Sequence, residues 1–206
     1  MKKTTYYKTL PDGYLPVKTI DAGDKTFGMV LNLAAFIIMA VVGVVTFLLR
    51  FVMPDGAMDT LRESMAALQG NIWAFEGALF GVLFAMLLYI VLHELTHGLA
   101  YKLLTGEKLT FGIKLSCAFC GVPDIYTTRF TSLIALLAPF TLFGILFLAL
   151  VFAAQGWLSL LSLLLFAIHF GGCAGDLYDT CLLLFKFKGN VLVNDNGPKQ
   201  VIYQKA

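Results

Sequence analysis

Two histidines and a glutamate stand within five residues of one another in an apolar part of the chain. His93-Glu94-Leu95-Thr96-His97 is an H-E-x-x-H motif. On a helix, residues four apart share a face, so both imidazoles can reach one Zn²⁺ ion while the glutamate lies beside it. This combination is typical of metal-dependent hydrolases. Ionisable side chains at membrane depth cost at least ~2.5 kcal/mol each, so a cluster of them there indicates a function.

The composition of the chain is that of a polytopic membrane protein. Of its 206 residues, 59% are hydrophobic and 14% are charged, and the mean hydropathy is +0.81. Soluble domains carry about a quarter charged residues. The net charge is only +2 and no run of basic residues forms a patch for a nucleic-acid backbone. We therefore expect the lipid bilayer as the environment and no nucleic-acid partner.

Four apolar segments are long enough to cross about 30 Å of hydrocarbon as helices. They are residues 27–49, 77–101, 130–154 and 157–185. The second and fourth carry the ionisable groups at depth: His93, Glu94 and His97 in one, and His169, Asp176 and Asp179 in the other. These two spans run in the same direction, so they can pack with the groups facing, which gives a His-His-carboxylate zinc site with an open position.

Helical spacing leaves the third ligand undecided. Asp176 and Asp179 lie one turn apart, so either carboxylate satisfies the geometry. His169 lies two turns before Asp176 and shares its face. It could steady a substrate carbonyl, donate to the ligand aspartate or bind zinc itself. The alternative is a histidine that is satisfied by a carbonyl of a neighbouring helix.

The distribution of positive charge predicts the orientation. With a cytoplasmic N-terminus, thirteen of the fifteen Lys and Arg residues fall on the cytosolic side, and only Arg50 and Arg62 lie outside. By the positive-inside rule, both termini are expected in the cytosol of a multi-pass cell-membrane protein.

The loop between the second and third spans alternates apolar with small or polar residues from Leu109 to Phe119. This period of two predicts a half-buried strand, followed by a turn at residues 121–124 and a returning strand at residues 125–128. A strand edge beside a zinc site could hold an extended substrate by backbone pairing. The alternative is a hairpin that only caps the protein. A second short hairpin is predicted in the tail around Asn196-Gly197.

A family resemblance rests on three features of the sequence: the H-E-x-x-H motif in one span, Gly175-Asp176 two spans later, and Leu137-Ala138-Pro139-Phe140 in the span between them. With these features the chain resembles a bacterial family of zincin-type membrane peptidases without an assigned physiological role. That family is similar in layout to the site-2 proteases, which cut substrates within or near the membrane with a three-helix core. The resemblance implies that His93, His97 and Asp176 bind zinc and that Glu94 is the catalytic base. His169 and Asp179 are then candidate substrate-binding or ligand-orienting residues.

The sequence thus predicts an all-α integral membrane protein with about four transmembrane helices and one short cytosolic hairpin. Its predicted parts are a cytosolic arm (1–26), a first transmembrane helix (27–53), a zincin-like core (77–185) that includes the hairpin (105–129), and a cytosolic tail (186–206). The predicted function is zinc-dependent hydrolysis of peptide bonds in membrane or membrane-proximal proteins. Two alternatives are a non-enzymatic protein with a structural or metal-sensing zinc and a hydrolase acting on another bond. Glu94 favours hydrolysis, because a structural zinc site needs no base.

Overall fold

A computed structural model describes residues 4–53, 56–69, 71–113 and 118–206 of the chain. The elements are, in chain order, β1 (Tyr6–Tyr7), β2 (Tyr14–Asp21), α1 (Lys25–Val52), α2 (Ala57–Leu68), α3 (Ile72–Thr105), β3 (Thr110–Ile113), β4 (Ala118–Thr128), α4 (Arg129–Ala153), α5 (Gly156–Gly172), α6 (Ala174–Cys181), a π-helical turn (Leu182–Lys186), β5 (Val191–Asp195) and β6 (Lys199–Lys205).

Four stretches of helix are long and apolar enough to cross a membrane: Lys25–Val52, Ile72–Thr105, Arg129–Ala153 and Gly156–Lys186. They contain the four predicted spans except for Ala154 at the end of the third, as expected for a multi-pass membrane protein. The fourth differs from the prediction of one helix, because α5 ends at Gly172 and α6 begins at Ala174. The short α2 was not predicted, because its twelve residues, which include the charged Asp59, Arg62 and Glu63, are too few and too polar to cross a membrane.

The chain forms two compact units. We call them the sheet unit (the described residues up to Leu33, Val91–Pro139 and Gly175–Ala206) and the helix unit (Ala34–Ile90 and Phe140–Ala174). The helix unit has a core of aromatic and aliphatic side chains that includes Tyr89, Phe143 and Phe166. Within this unit, Arg50 is fully buried and donates from Nη2 to the carbonyl of Ala154, just past the end of α4, at 3.2 Å.

The sheet unit corrects the all-α prediction. Its six strands form one antiparallel sheet in the order β1-β4-β5-β6-β2, with β3 paired to β4. The tail hairpin was predicted, but β2 of the N-terminal arm pairs along β6, with Tyr14 opposite Lys205. That pairing joins segments far apart in sequence, and no local pattern in either segment could have shown it. Ile20, Val193 and Ile202 pack in the core beneath these strands.

The predicted turn at residues 121–124 is wrong, because β4 runs through it to Thr128. The register against β5 shifts between Val122 and Thr127, and this irregularity accommodates Pro123, which has no N–H to give to a ladder. The side-chain amide of Asn194 donates to the carbonyls of Pro123 (2.8 Å) and Ile125 (2.9 Å), which replaces backbone pairing there. Residues 114–117, within the predicted first strand, lie outside the described residues.

Candidate metal centre

The motif helix α3 places His93 and His97 on one face, as the spacing predicts. Their ring centroids are 4.9 Å apart and each residue is only 7% exposed. Both side chains lie in the sheet unit, which begins on this helix at Val91. The buried imidazoles therefore present their ring nitrogens to one small region of that unit.

Asp176, in the first turn of α6, faces both histidines. Its Oδ2 is 3.2 Å from Nε2 of His93, and its Oδ1 is 3.4 Å from Nε2 of His97. Ligand atoms of the three residues all lie within 4.8 Å of one another. Tetrahedral ligands with bonds of 2.0–2.1 Å are about 3.3 Å apart, so these separations fit a zinc ion held by two imidazoles and a carboxylate. The structure thus brings Asp176 to the motif, where spacing alone left the choice open.

A backbone carbonyl of α4 sets the tautomer of His97. Nδ1 of His97 is 2.8 Å from the oxygen of Ala135. A carbonyl oxygen can only accept, so Nδ1 carries the hydrogen. In the neutral ring, Nε2 then holds a bare lone pair, which is the form that binds a metal.

Glu94 lies beside this group and is half-buried. Its carboxylate lies near the backbone N–H of Cys120 in β4. The sheet comes this close because residue 98 of α3 is glycine. A Cβ there would lie 2.6 Å from the ring of Phe111 and 3.2 Å from Sγ of Cys120. The glycine after the motif therefore allows β3 and β4 to pack against the helix at Glu94.

The thiol of Cys120 is not suited to bind the metal. Burial, together with the carboxylates of Asp195 and Glu94, raises the pKa of this thiol to about 12. The group therefore stays protonated at neutral pH, whereas metals bind the thiolate. Cys120 is a free cysteine. Cys117, three residues earlier, lies outside the described residues.

Asp179 is buried beside the candidate centre but does not face the histidines as Asp176 does. It is 7% exposed, and its Oδ1 has no hydrogen-bond partner among the residues that the structure describes. Asp179 does not orient His97 through the ring nitrogen that faces away from Asp176. That nitrogen, Nδ1, is hydrogen-bonded to the carbonyl of Ala135.

Sequence reasoning missed a buried pair behind the motif. The hydroxyl of Tyr101, one turn after His97, donates to Oδ2 of Asp195 in β5 at 2.8 Å, and both residues are 2% exposed. Oδ1 of Asp195 accepts from the N–H of Gly197 at 2.8 Å. The tail hairpin is thereby fixed to the motif helix. The i+4 spacing from His97 to Tyr101 placed the hydroxyl on the motif face, but nothing local identified Asp195 as its partner.

His169 lies in the helix unit, where it is fully buried. Its Nδ1 is 2.9 Å from the hydroxyl of Tyr89, and its Nε2 is 3.2 Å from the carbonyl of Phe140. The Nε2 must donate to that carbonyl, so Nδ1 accepts from Tyr89. Within this unit both ring nitrogens are used, in agreement with the alternative of a histidine satisfied by a neighbouring helix carbonyl.

Comparison with known proteins decides the family. A family model described as "Putative zincin peptidase" matches residues 86–192, a little over half of the chain. The matched range contains the H-E-x-x-H motif, Ala135 and Asp176. The chain belongs to this zincin peptidase family. Membership implies zinc and metallopeptidase activity, and the two imidazoles and one carboxylate are a donor set that zinc peptidases use. No curated protein and no solved structure matches the chain.

Proposed function

We propose that this zincin-family protein is a membrane metallopeptidase that hydrolyses peptide bonds within the bilayer or near its cytosolic face. Its layout resembles that of the site-2 proteases. The convergence of His93, His97 and Asp176 beside Glu94 supports the proposal most strongly. The four apolar helices support a membrane location.

The roles in the proposed reaction follow from the geometry of the site. His93, His97 and Asp176 would hold zinc, which would supply Lewis-acid activation of the scissile carbonyl and of the attacking water. Glu94 takes the proton of the attacking water and gives it to the leaving amine. The backbone N–H of Cys120 near the Glu94 carboxylate favours its ionised, basic form.

The proposed substrate is an extended segment of a membrane or membrane-proximal protein. Among the described strands, β3 pairs only with β4, so its other edge can accept a substrate strand. Phe111 of β3 contacts the motif helix at Gly98, which places this edge close to Glu94. Ile113 at the end of the strand is 81% exposed and offers an apolar surface to such a segment. Backbone pairing would select extended chain with little dependence on sequence.

The test is a comparison of the wild type with Glu94→Gln in cells. Glutamine keeps the shape of glutamate and loses its basicity, so new protein termini in the membrane fraction should fall by ~10²–10⁴-fold with zinc content unchanged. Glu76→Gln, an exposed change near the start of the same helix, is the matched control and should leave the termini intact. Full cleavage by Glu94→Gln would exclude the mechanism. Loss of zinc and fold together would favour a structural zinc site.

A further inference from the structure

Proline 139 lies inside α4, in the part of that helix that belongs to the sheet unit. Proline has no N–H, and its ring displaces the carbonyl four residues earlier, so an interior proline leaves that carbonyl without its usual intrahelical donor. Four residues before Pro139 is Ala135. Ala135 is fully buried, so no solvent reaches it to supply the missing donor.

The donor to this carbonyl is the metal-site histidine. Nδ1 of His97 lies 2.8 Å from the oxygen of Ala135. An unpaired buried carbonyl is costly, and a displaced carbonyl is available to a group on a neighbouring helix. The position of the proline therefore coincides with the carbonyl of α4 that His97 uses.

We propose that Pro139 is a positioning residue for the metal centre, because it frees the Ala135 carbonyl to hold His97 in the metal-binding tautomer. The proposal rests on the assignment of His97 as a ligand. A positioning role of Pro139 and a packing role have different effects on protein stability and on metal affinity. A proline interior to a helix destabilises that helix, whereas a partner of a ligand histidine strengthens metal binding.

Two substitutions separate these effects. Pro139→Ala and Pro139→Gly both restore an N–H that competes for the Ala135 carbonyl, but alanine favours a helix and glycine does not. Zinc affinity, measured by competition with a chelator on the purified protein, should fall by about tenfold or more in both, within the ~10–100-fold range for loss of such a partner. The unfolding temperature of metal-free Pro139→Ala should equal or exceed that of the wild type.

A second readout does not depend on zinc. The chain has only three histidines, so ¹⁵N spectra of the metal-free protein can assign each ring by single substitution. The signal of the His97 Nδ1–H should be shifted downfield in the wild type by its hydrogen bond to the Ala135 carbonyl and should move upfield in the two variants. This measurement tests the role of Pro139 even if the wild type binds no zinc, an outcome that would overturn the metal centre alone.

Three results would overturn the role of Pro139. One is zinc affinity within twofold of the wild type in both variants. Another is an unchanged signal of the His97 Nδ1–H. The third is a fall in zinc affinity that follows a lower unfolding temperature in Pro139→Ala, which would assign the proline to packing.

Discussion

Asp176 and Asp179 lie one helical turn apart in α6, yet only Asp176 faces both histidines of the motif. We therefore expect Asp176→Asn to lower zinc affinity by more than the ~10–100-fold that follows loss of a residue outside the ligand set. Asp179→Asn is the matched control and should retain one zinc per chain. Metal analysis of the two purified variants checks this. Loss of zinc in Asp179→Asn alone would reverse the assignment.

At the residue scale, the sequence predicted the histidine pair and its neighbour Glu94 because helical periodicity is local. It predicted that a carboxylate of the fourth span would join them but could not choose between two candidates one turn apart. Asp176 lies in α6, which begins after a break in the fourth span, and a nearly continuous apolar segment gives little sign of that break. The interior Pro139 was visible in the sequence, but its consequence for Ala135 needed the position of His97.

At the scale of elements, the hydrogen bond from Tyr101 to Asp195 joins the tail hairpin to the motif helix. Tyr101→Phe removes the hydroxyl that donates to Asp195, so the buried Oδ2 of Asp195 loses this hydrogen bond. We expect the free energy of unfolding to fall by about 1–3 kcal/mol. Thermal or denaturant unfolding in detergent measures this. Tyr14→Phe, on strand β2 away from this pair, is a control, and an equal loss there would remove the special role of the Tyr101–Asp195 contact.

The same pair predicts a pH dependence of stability. Burial raises the pKa of Asp195 to about 6, although the N–H of Gly197 and the hydroxyl of Tyr101 oppose the rise. The unfolded value is about 4. Between pH ~4 and ~6, Asp195 is therefore protonated in the folded chain and ionised in the unfolded chain. The stabilisation that comes from protonating Asp195 is fully present below pH ~4 and is lost as the pH rises through about 6.

Asp195→Asn should remove this slope in the metal-free protein, because asparagine does not titrate. Between pH 4 and 7 the wild type should lose on the order of 1–3 kcal/mol more unfolding free energy than the variant. The slopes are compared, since the substitution also changes hydrogen bonding at every pH. Parallel curves for the two proteins would show that Asp195 titrates alike when folded and unfolded.

Most of the strand pairing in the sheet could not be predicted from the sequence, for a physical reason. Alternation predicted strands in the loop and the tail, but antiparallel partners such as Tyr14 and Lys205 are joined only in the folded chain. The sequence predicts a turn at the irregular part of β4, since Gly121, Pro123 and Asp124 are typical turn residues. The side-chain amide of Asn194, more than sixty residues later, keeps the strand continuous there.

At the scale of the whole chain, three segments between or beside the apolar helices meet in one sheet. The N-terminal strands, the loop after α3 and the tail all contribute strands to the sheet unit. Strands of one sheet must lie on one side of a membrane. Since thirteen of the fifteen basic residues fall in or beside these segments, we expect that side to be the cytosol.

Reporter fusions test the orientation. A reporter active only in the cytosol should work after Ala206 and in the loop after Gly106, and it should fail in the segment between α1 and α2. A reporter active only outside gives the matched control with the opposite pattern. An external signal at Ala206 would reverse the orientation and place the metal centre near the other face of the membrane.

The central claim is that two imidazoles and one carboxylate hold a zinc ion beside Glu94. X-ray absorption at the zinc edge on purified Glu94→Gln tests it most directly, because this variant is expected to keep the metal without turning over substrate. We expect one zinc per chain with nitrogen and oxygen ligands at about 2.0–2.2 Å. Sulfur ligands at about 2.3 Å, or no zinc at all, would contradict it.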